Sequence, residues 1–244
     1  MNNTPRRSGI NDIKISDGVS FLQMIFGCFK GEPDSLLKLD GLLLDKGIAL
    51  IAGIPLYQFK KYLEGVKKVE DDLGNAVHLA DKLFGDEKKA EENGIRVYEM
   101  VTSVDSTGKI HYFINATRAF LLDEIDLTTF FRIFSAIRST KIEDLEFLKN
   151  NIEKGETIYG NIQILALARS GLMILTDEDY ERGAEEQGYK ISTFGYMVDC
   201  FALSYDDDER IKYYKNHEIP QINLQIPHDE FKVEGGKLVI EETL

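Results

Sequence analysis

The order of patterned segments between residues 126 and 205 constrains the fold of this chain more than any other sequence feature. Apolar residues recur at helical spacing in three stretches, at about 127–137, 140–152 and 159–170. A short apolar run at 172–175, a polar excursion and a returning run at 189–191 follow. Ser192 or Thr193 can then cap a last helix that reaches about Tyr205. The pattern predicts three helices, a strand, a polar loop, a strand and a helix.

Local signals support these boundaries. Thr140 is a good cap for the second helix, and Glu143 at the third helical position completes a capping box. Gly155 and Gly171 follow the second and third helical patterns, where glycine commonly ends a helix. Three helices followed by a strand, a loop, a strand and a helix is the order of a winged-helix unit. We therefore predict a winged-helix-like α+β domain over 125–205.

The remainder of the chain is expected to be mainly α. Residues 1–124 predict a helical domain in which an apolar segment contains Gly53 and Pro55, and we place a helix break at this proline. Gly74, Gly85 and Gly94 then separate short helical pieces. Residues 206–244 predict an acidic tail with a strand at 222–226 and a β-hairpin that turns at 235–236.

The apolar window at 42–57 is the first candidate site. Its uninterrupted part, 47–57, is far shorter than the roughly 20 residues of a membrane-spanning helix. A buried core helix and a partner or membrane surface both remain open. The residues assigned to that surface are Ile48, Leu50, Ile51, Ile54 and Leu56. The following helix adds a stripe of lysines, which favours either solvation or an anionic surface: Lys60, Lys61, Lys67 and Lys68.

Charge is distributed unevenly along the chain. The net charge of the 244 residues is −13, and residues 176–244, with 17 acidic and 7 basic residues, contribute −10 of it. The loop predicted between the two strands carries the second candidate site, an acidic contact loop made of Asp177, Glu178, Asp179, Glu181, Glu185 and Glu186. With only Arg182 and Lys190 as cations, residues 176–190 have a net charge of −4 and would repel a phosphate backbone.

Residues 162–171 and 172–175, followed by Tyr189-Lys-Ile-Ser-Thr-Phe-Gly195, resemble the end of many winged-helix domains. Together with the Gly53-Ile-Pro55 segment and the helices at 95–152, the layout over 40–205 resembles an uncharacterised group of bacterial and phage-associated helical proteins. Those proteins have a winged-helix-like C-terminal part. The resemblance implies a fold and a bacterial or phage setting, and it carries over no active site.

Sequence motifs for catalysis, cofactors and metals are absent. There is no phosphate-binding glycine loop and no nucleophile elbow. His78, His111, His217 and His228 are scattered without metal-ligand spacing. We therefore expect no enzymatic activity, no cofactor and no metal. Cys28 and Cys200 are interpreted as small apolar fillers in a reducing compartment, with one disulfide or a reactive thiol as the alternative.

The motif and the charge favour different functions. We predict a cytoplasmic interaction protein that uses its acidic winged-helix-like module to bind a protein partner or a second copy of itself. The first alternative is a DNA-binding regulator, which would need a basic face assembled from Arg132, Arg138, Lys141 and Lys149. The second is a membrane-associated effector, such as one acting in phage defence, with peripheral contact through the 42–57 window.

Overall fold

Helices dominate this computed structural model, which describes residues 21–44, 46–74, 77–84, 87–151, 157–159, 162–176, 188–207, 233–234 and 237–238. The α-helices are α1 (Phe21–Phe29), α2 (Pro33–Leu44), α3 (Lys46–Asp72), α4 (Leu79–Phe84), α5 (Glu87–Thr102), α6 (Ile110–Leu121), α7 (Leu127–Ser139), α8 (Ile142–Asn151), α9 (Ile162–Arg169) and α10 (Thr193–Val198). The strands are β1 (Ile158–Tyr159), β2 (Met173–Leu175), β3 (Gly188–Ile191), β4 (Val233–Glu234) and β5 (Lys237–Leu238). The mainly helical fold class is confirmed.

The break predicted at Pro55 is wrong. Helix α3 passes through this residue without interruption, and Pro55 lies inside it. Proline removes one backbone hydrogen bond there, but burial of the α3 face that follows, which includes Leu56, Phe59 and Tyr62, holds the helix together. Gly94 likewise lies inside α5 rather than between two helices. In both places tertiary packing overrides the local preference of one residue.

The core forms around α6, which packs against α3, α7 and the helical turn after α10. Aromatic rings from α6 and α7 pack at tilted angles in the core, with the ring centroids of Phe113 and Phe130 lying 4.5 and 4.2 Å from that of Phe134. The Tyr62 hydroxyl of α3 shares a hydrogen bond of 2.9 Å with the hydroxyl of Thr117 on α6. These contacts join the N-terminal helices to the start of the C-terminal unit through one continuous core.

The C-terminal unit contains a small antiparallel sheet in the order β1-β3-β2. The strands predicted at 172–175 and 189–191 are confirmed as β2 and β3. Tyr159 was expected to begin a helix, but it lies in β1 and pairs with Gly188 of β3. Helix α9 therefore begins only at Ile162. Pairing with β3 gives the backbone at 158–159 hydrogen-bond partners that a longer helix would have supplied.

Two helix starts in this unit differ in how they are capped. The Ser192 hydroxyl accepts the Gly195 N–H at 2.9 Å, which confirms Ser192 as the cap of α10. The capping box predicted at Thr140 is wrong, because the buried Thr140 hydroxyl has no hydrogen-bond partner within the described part of the chain. The Thr140 carbonyl instead accepts a hydrogen bond from the ammonium group of Lys109.

The last helix widens before it ends. After α10 the chain makes a π-helical turn, Asp199–Leu203, and the Ser204 N–H donates to the Asp199 carbonyl at 2.8 Å. The side chains of the same two residues are also hydrogen-bonded, at 2.8 Å. Strands β4 and β5 pair as an antiparallel ladder on either side of 235–236, as the hairpin prediction requires. The predicted strand at 222–226 lies outside the described residues.

Gly195 at the start of α10 should not tolerate a side chain. A Cβ there would overlap the backbone carbonyl oxygen of Leu172, which cannot move without disturbing β2. We predict that Gly195→Ala lowers the free energy of unfolding by about 3 kcal/mol. The control is Gly41→Ala in α2, where a Cβ meets nothing within 4 Å and should stabilise the helix by about 0.5–1 kcal/mol. Urea denaturation measures both, and equal effects of the two substitutions would contradict the prediction.

Lys109 is a fully buried cation that joins α6 to the end of α7. Its ammonium group donates to the Thr140 carbonyl and lies 2.6 Å from the carboxylate of Asp105, which is half exposed. Partial burial alone would raise the pKa of Asp105, but the hydrogen bond and charge of Lys109 outweigh it and hold that pKa below its ordinary value. The stabilisation that the ion pair between Lys109 and Asp105 gives the folded state is therefore present above the unfolded-state pKa of about 3.8. It is lost as the pH falls through the lower folded-state pKa.

We predict that Lys109→Met lowers the free energy of unfolding by about 1–3 kcal/mol at pH 7. Methionine keeps most of the buried volume but leaves the Thr140 carbonyl without its donor. Lys68→Met, at an exposed position on α3, is the control and should change stability by less than about 0.5 kcal/mol. The measurement is urea denaturation at pH 7 and at acid pH. The difference between wild type and Lys109→Met should shrink at acid pH, and a constant difference would argue against the role of Asp105.

Candidate functional site

The outward side of the C-terminal unit carries apolar residues where a nucleic-acid-binding unit would carry cations. On α9, Ile162 is 82 % exposed and Leu165 is 46 % exposed. These residues are three positions apart and so lie on the same side of the helix. Arg169 at the end of α9 is exposed. The exposed part of α9 is therefore more apolar than basic.

The outward side of the sheet carries exposed apolar residues and the exposed cation Lys190. Ile174 pairs with Lys190, and Tyr159 pairs with Gly188, so all four positions lie on one face of the sheet. Ile174 is 54 % exposed and Tyr159 is 51 % exposed. We call Tyr159, Ile162, Leu165 and Ile174 the α9–sheet surface. The apolar positions of α9 were visible in the sequence, but periodicity alone could not show which of them faced solvent.

The first predicted site, in the apolar window, is only partly described. Ile48, Leu50 and Ile51 lie in the N-terminal part of α3, where side chains are outside the described structure. Ile54 is 71 % exposed, as a surface residue should be. Leu56 is fully buried in the core, so its assignment to a surface is wrong. Residues two positions apart lie on different sides of an α-helix, so Leu56 faces the core while Ile54 faces solvent.

Two of the four lysines in the α3 stripe lie beside carboxylates. Lys60 lies 2.5 Å from Asp40 of α2 and 3.9 Å from Glu64, and Lys67 lies 2.8 Å from Asp71. An anionic membrane would compete with these carboxylates for the lysines, which weakens the membrane alternative. Among the described residues, no helix is both long and apolar enough to cross a membrane.

The second predicted site, the acidic contact loop from Asp177 to Glu186, lies outside the described residues. Its place in the chain is nevertheless set by its ends. It connects Thr176, after β2, to Gly188 in β3, and the Thr176 N–H donates to the Gly188 carbonyl at 2.9 Å. The two residues that flank the acidic segment in sequence therefore lie in hydrogen-bond contact at the sheet.

The four cations required by the DNA-binding alternative do not form one stripe. Arg132 and Arg138 are both exposed on α7, but six positions separate them, so they point about 120° apart around the helix. Lys141 is exposed ahead of α8, and Lys149 is half-buried on α8. Lys149 lines a cleft of about 420 Å³ with His111, whose pKa is lowered mainly by burial. That cleft also contains Asp206 and Asp207, whose charges oppose an incoming phosphate.

A larger cavity lies at the other end of the chain, between α1, α2, α3 and the start of α4. Its volume is about 750 Å³. The carboxylate of Glu70 accepts the Leu79 N–H at 2.8 Å, and its other oxygen lies 3.3 Å from Nδ1 of His78. No sequence motif pointed to this pair, because the two residues belong to different elements. Within the described residues, no group of three or more histidine, cysteine or acidic side chains could hold a metal ion.

Neither cysteine forms a disulfide. Cys28 lines the cavity but is buried, and burial, followed by the charges of Glu32 and Asp40, raises the pKa of its thiol to about 12. A thiol with such a pKa carries almost no thiolate near neutral pH and is a poor nucleophile. The cavity therefore does not provide the activated cysteine of a Cys–His hydrolase. The filler interpretation is consistent with the burial of Cys28.

Comparisons of the chain with models of protein families, with curated proteins and with solved structures found no match. The class of protein therefore has to be inferred from the surfaces and cavities of the chain itself.

The two cysteines should react with a thiol reagent at different rates. Cys200 is half-buried, whereas Cys28 is buried and has a raised pKa. In the native protein at pH 8, we expect Cys28 to react with Ellman's reagent at least tenfold more slowly than Cys200, and both to react at similar rates in denaturant. Cys28→Ser identifies the slow phase and Cys200→Ser the fast one. A fast phase that disappears in Cys28→Ser would instead identify Cys28 as a reactive thiol.

Proposed function

We propose that this chain is a non-enzymatic interaction protein whose α9–sheet surface binds a protein partner. The observation that carries the proposal is the exposure of Ile162 and Leu165 on the outward side of α9. Large aliphatic side chains gain free energy when a partner removes them from water, at roughly 25 cal/mol per Å² of apolar area. Exposed apolar residues grouped on one structural unit commonly mark an interaction site.

The order α7, α8, α9, β2, β3 supports a winged-helix-like arrangement as part of this proposal. In a DNA-binding unit of that kind, the third helix would supply cations and hydrogen-bonding groups to the major groove. Helix α9 offers Arg169 but also the exposed Ile162 and Leu165. An apolar helix face fits a protein groove better than a base edge and a phosphate backbone.

Charge specifies the kind of partner. Between β2 and β3 in sequence, residues 177–186 contain six carboxylates against the single cation Arg182. A second copy of the chain would carry the same acidic excess, and like charges oppose self-association. The complementary partner is therefore a different protein with an apolar contact centre and a basic rim. The bacterial or phage setting and the cytoplasmic location belong to the same proposal.

Site-specific photocrosslinking in the native host tests this function. A benzoyl-phenylalanine at position 162 should capture a protein partner, whereas the same residue at position 122 should not. Leu122 is a matched control because it is 43 % exposed, at the end of α6, outside the α9–sheet surface. Leu165→Glu should abolish capture from position 162 without unfolding the chain, since Leu165 is nearly half exposed. We expect at least a tenfold loss of partner affinity, which is typical of a central interface residue.

Three outcomes would contradict the proposal. Equal capture from positions 162 and 122 would show that the α9–sheet surface is not the contact site. Tight binding of duplex DNA that weakens steeply with salt, measured by fluorescence anisotropy, would favour the regulator alternative instead. Light scattering of the purified protein distinguishes a different partner from self-association. A stable dimer that Leu165→Glu dissociates would replace the proposed partner with a second copy.

A further inference from the structure

The cavity between α1, α2, α3 and α4 has the composition of a small-molecule site. Its inner wall is apolar and includes buried Phe29, Val66 and Leu79, and Leu36 lies at its edge, 37 % exposed. Five of the thirteen lining residues have polar side chains, namely Lys30, Lys67, Glu70, His78 and Asp81. Pockets that bind small ligands have volumes of roughly 300–1,000 Å³ and combine apolar walls with a few fixed polar groups. The 750 Å³ of this cavity fall within that range.

Glu70 is the fixed polar group of this cavity. Its side chain is only 11 % exposed, and the Leu79 N–H and the His78 ring hold its two oxygens in place. A carboxylate has about four acceptor positions, so two contacts leave it able to accept further hydrogen bonds. A donor that enters the cavity therefore meets an acceptor whose position is already set by its neighbours.

Glu70 lies in a better position to attract a charged ligand than the lysines of the same lining. Lys67 lies 2.8 Å from Asp71, with 60 % of its side chain exposed to water, and Lys30 is exposed. Charge interactions are weaker in water than beside low-dielectric protein, so these lysines attract a ligand less than Glu70 does. Asp81 adds a second carboxylate to the lining. The two carboxylates balance the two lysines of the lining in number, so the burial of Glu70, rather than net charge, gives the cavity its preference for a cation.

We propose that this cavity binds an organic cation with an apolar body, namely an alkyl or aryl ammonium compound. The ammonium group hydrogen-bonds to Glu70, and the apolar body covers Phe29, Val66 and Leu36. No covalent step is involved. The site is separate from the α9–sheet surface and does not depend on the function proposed for that surface.

Isothermal titration of the full-length chain with octylammonium and with octanoate tests the charge preference. These two probes have apolar chains of similar length and head groups of opposite charge. We expect octylammonium to bind at least tenfold more tightly than octanoate. Glu70→Gln should weaken octylammonium at least tenfold, because glutamine can still accept the Leu79 N–H but has no charge. Glu64→Gln, at an exposed site on the same helix that does not line the cavity, should leave binding unchanged.

Leu36→Trp provides a test that does not touch Glu70. A larger side chain at the cavity edge should occupy the space of the apolar body and abolish binding of octylammonium. In the wild-type protein, addition of octylammonium should also shift the amide resonance of Leu79, which donates to Glu70. This measurement keeps the proposal testable if Glu70→Gln fails to fold.

Three results would overturn the proposal. The first is octanoate binding as tightly as octylammonium. The second is an octylammonium affinity that is unchanged in folded Glu70→Gln and in Leu36→Trp, which would indicate nonspecific adsorption of the alkyl chain. The third is the absence of both heat and a Leu79 shift in the wild-type protein. None of these results bears on the photocrosslinking test of the α9–sheet surface.

Discussion

The burial of α6 from several sides is the constraint on which most of this structure depends. Nine of its twelve residues are buried, including the polar Asn115 and Thr117. A buried polar group without a partner is costly, so α6 and the elements around it supply partners at set positions. The Thr117 hydroxyl donates to the Phe113 carbonyl within α6 at 2.8 Å and also contacts the Tyr62 hydroxyl of α3, while the Ala202 carbonyl in the π-helical turn accepts a hydrogen bond from the Asn115 side chain at 2.9 Å. Two distant parts of the chain are thereby positioned by one helix.

This central packing explains why the candidate sites lie on elements other than α6 and α7. The aromatic residues of α6 and α7 fill the middle of the chain, so cavities and exposed apolar residues remain where other elements end. The Glu70 cavity lies where α1, α2 and α4 meet α3. The α9–sheet surface lies where a three-stranded sheet has only one covered face. Charge differs between these places, since the acidic excess follows β2 in sequence.

Much of the secondary structure could be predicted because it depends on local patterns. Helices α6 and α7 and strands β2 and β3 follow directly from apolar spacing, and Ser192 is a cap by its own chemistry. The errors occur where distant contacts decide the outcome. Pro55 remains helical because the rest of α3 is buried, and Tyr159 becomes a strand residue because Gly188 is available to pair with it. The Thr140 hydroxyl does not cap α8. The backbone carbonyl of Thr140 instead accepts a hydrogen bond from Lys109, at the start of α6.

By itself, the sequence determined the mainly helical class, the order of the helices and of strands β2 and β3 in the C-terminal unit, and the uneven distribution of charge, because periodicity and residue type encode these directly. Only the tertiary structure decided that Ile54 is exposed while Leu56 is buried, and that Glu70 and His78 share a cavity. It also decided that Ile162 and Leu165 face outward. Periodicity shows which residues share a side of a helix, whereas packing against other helices decides which side is covered.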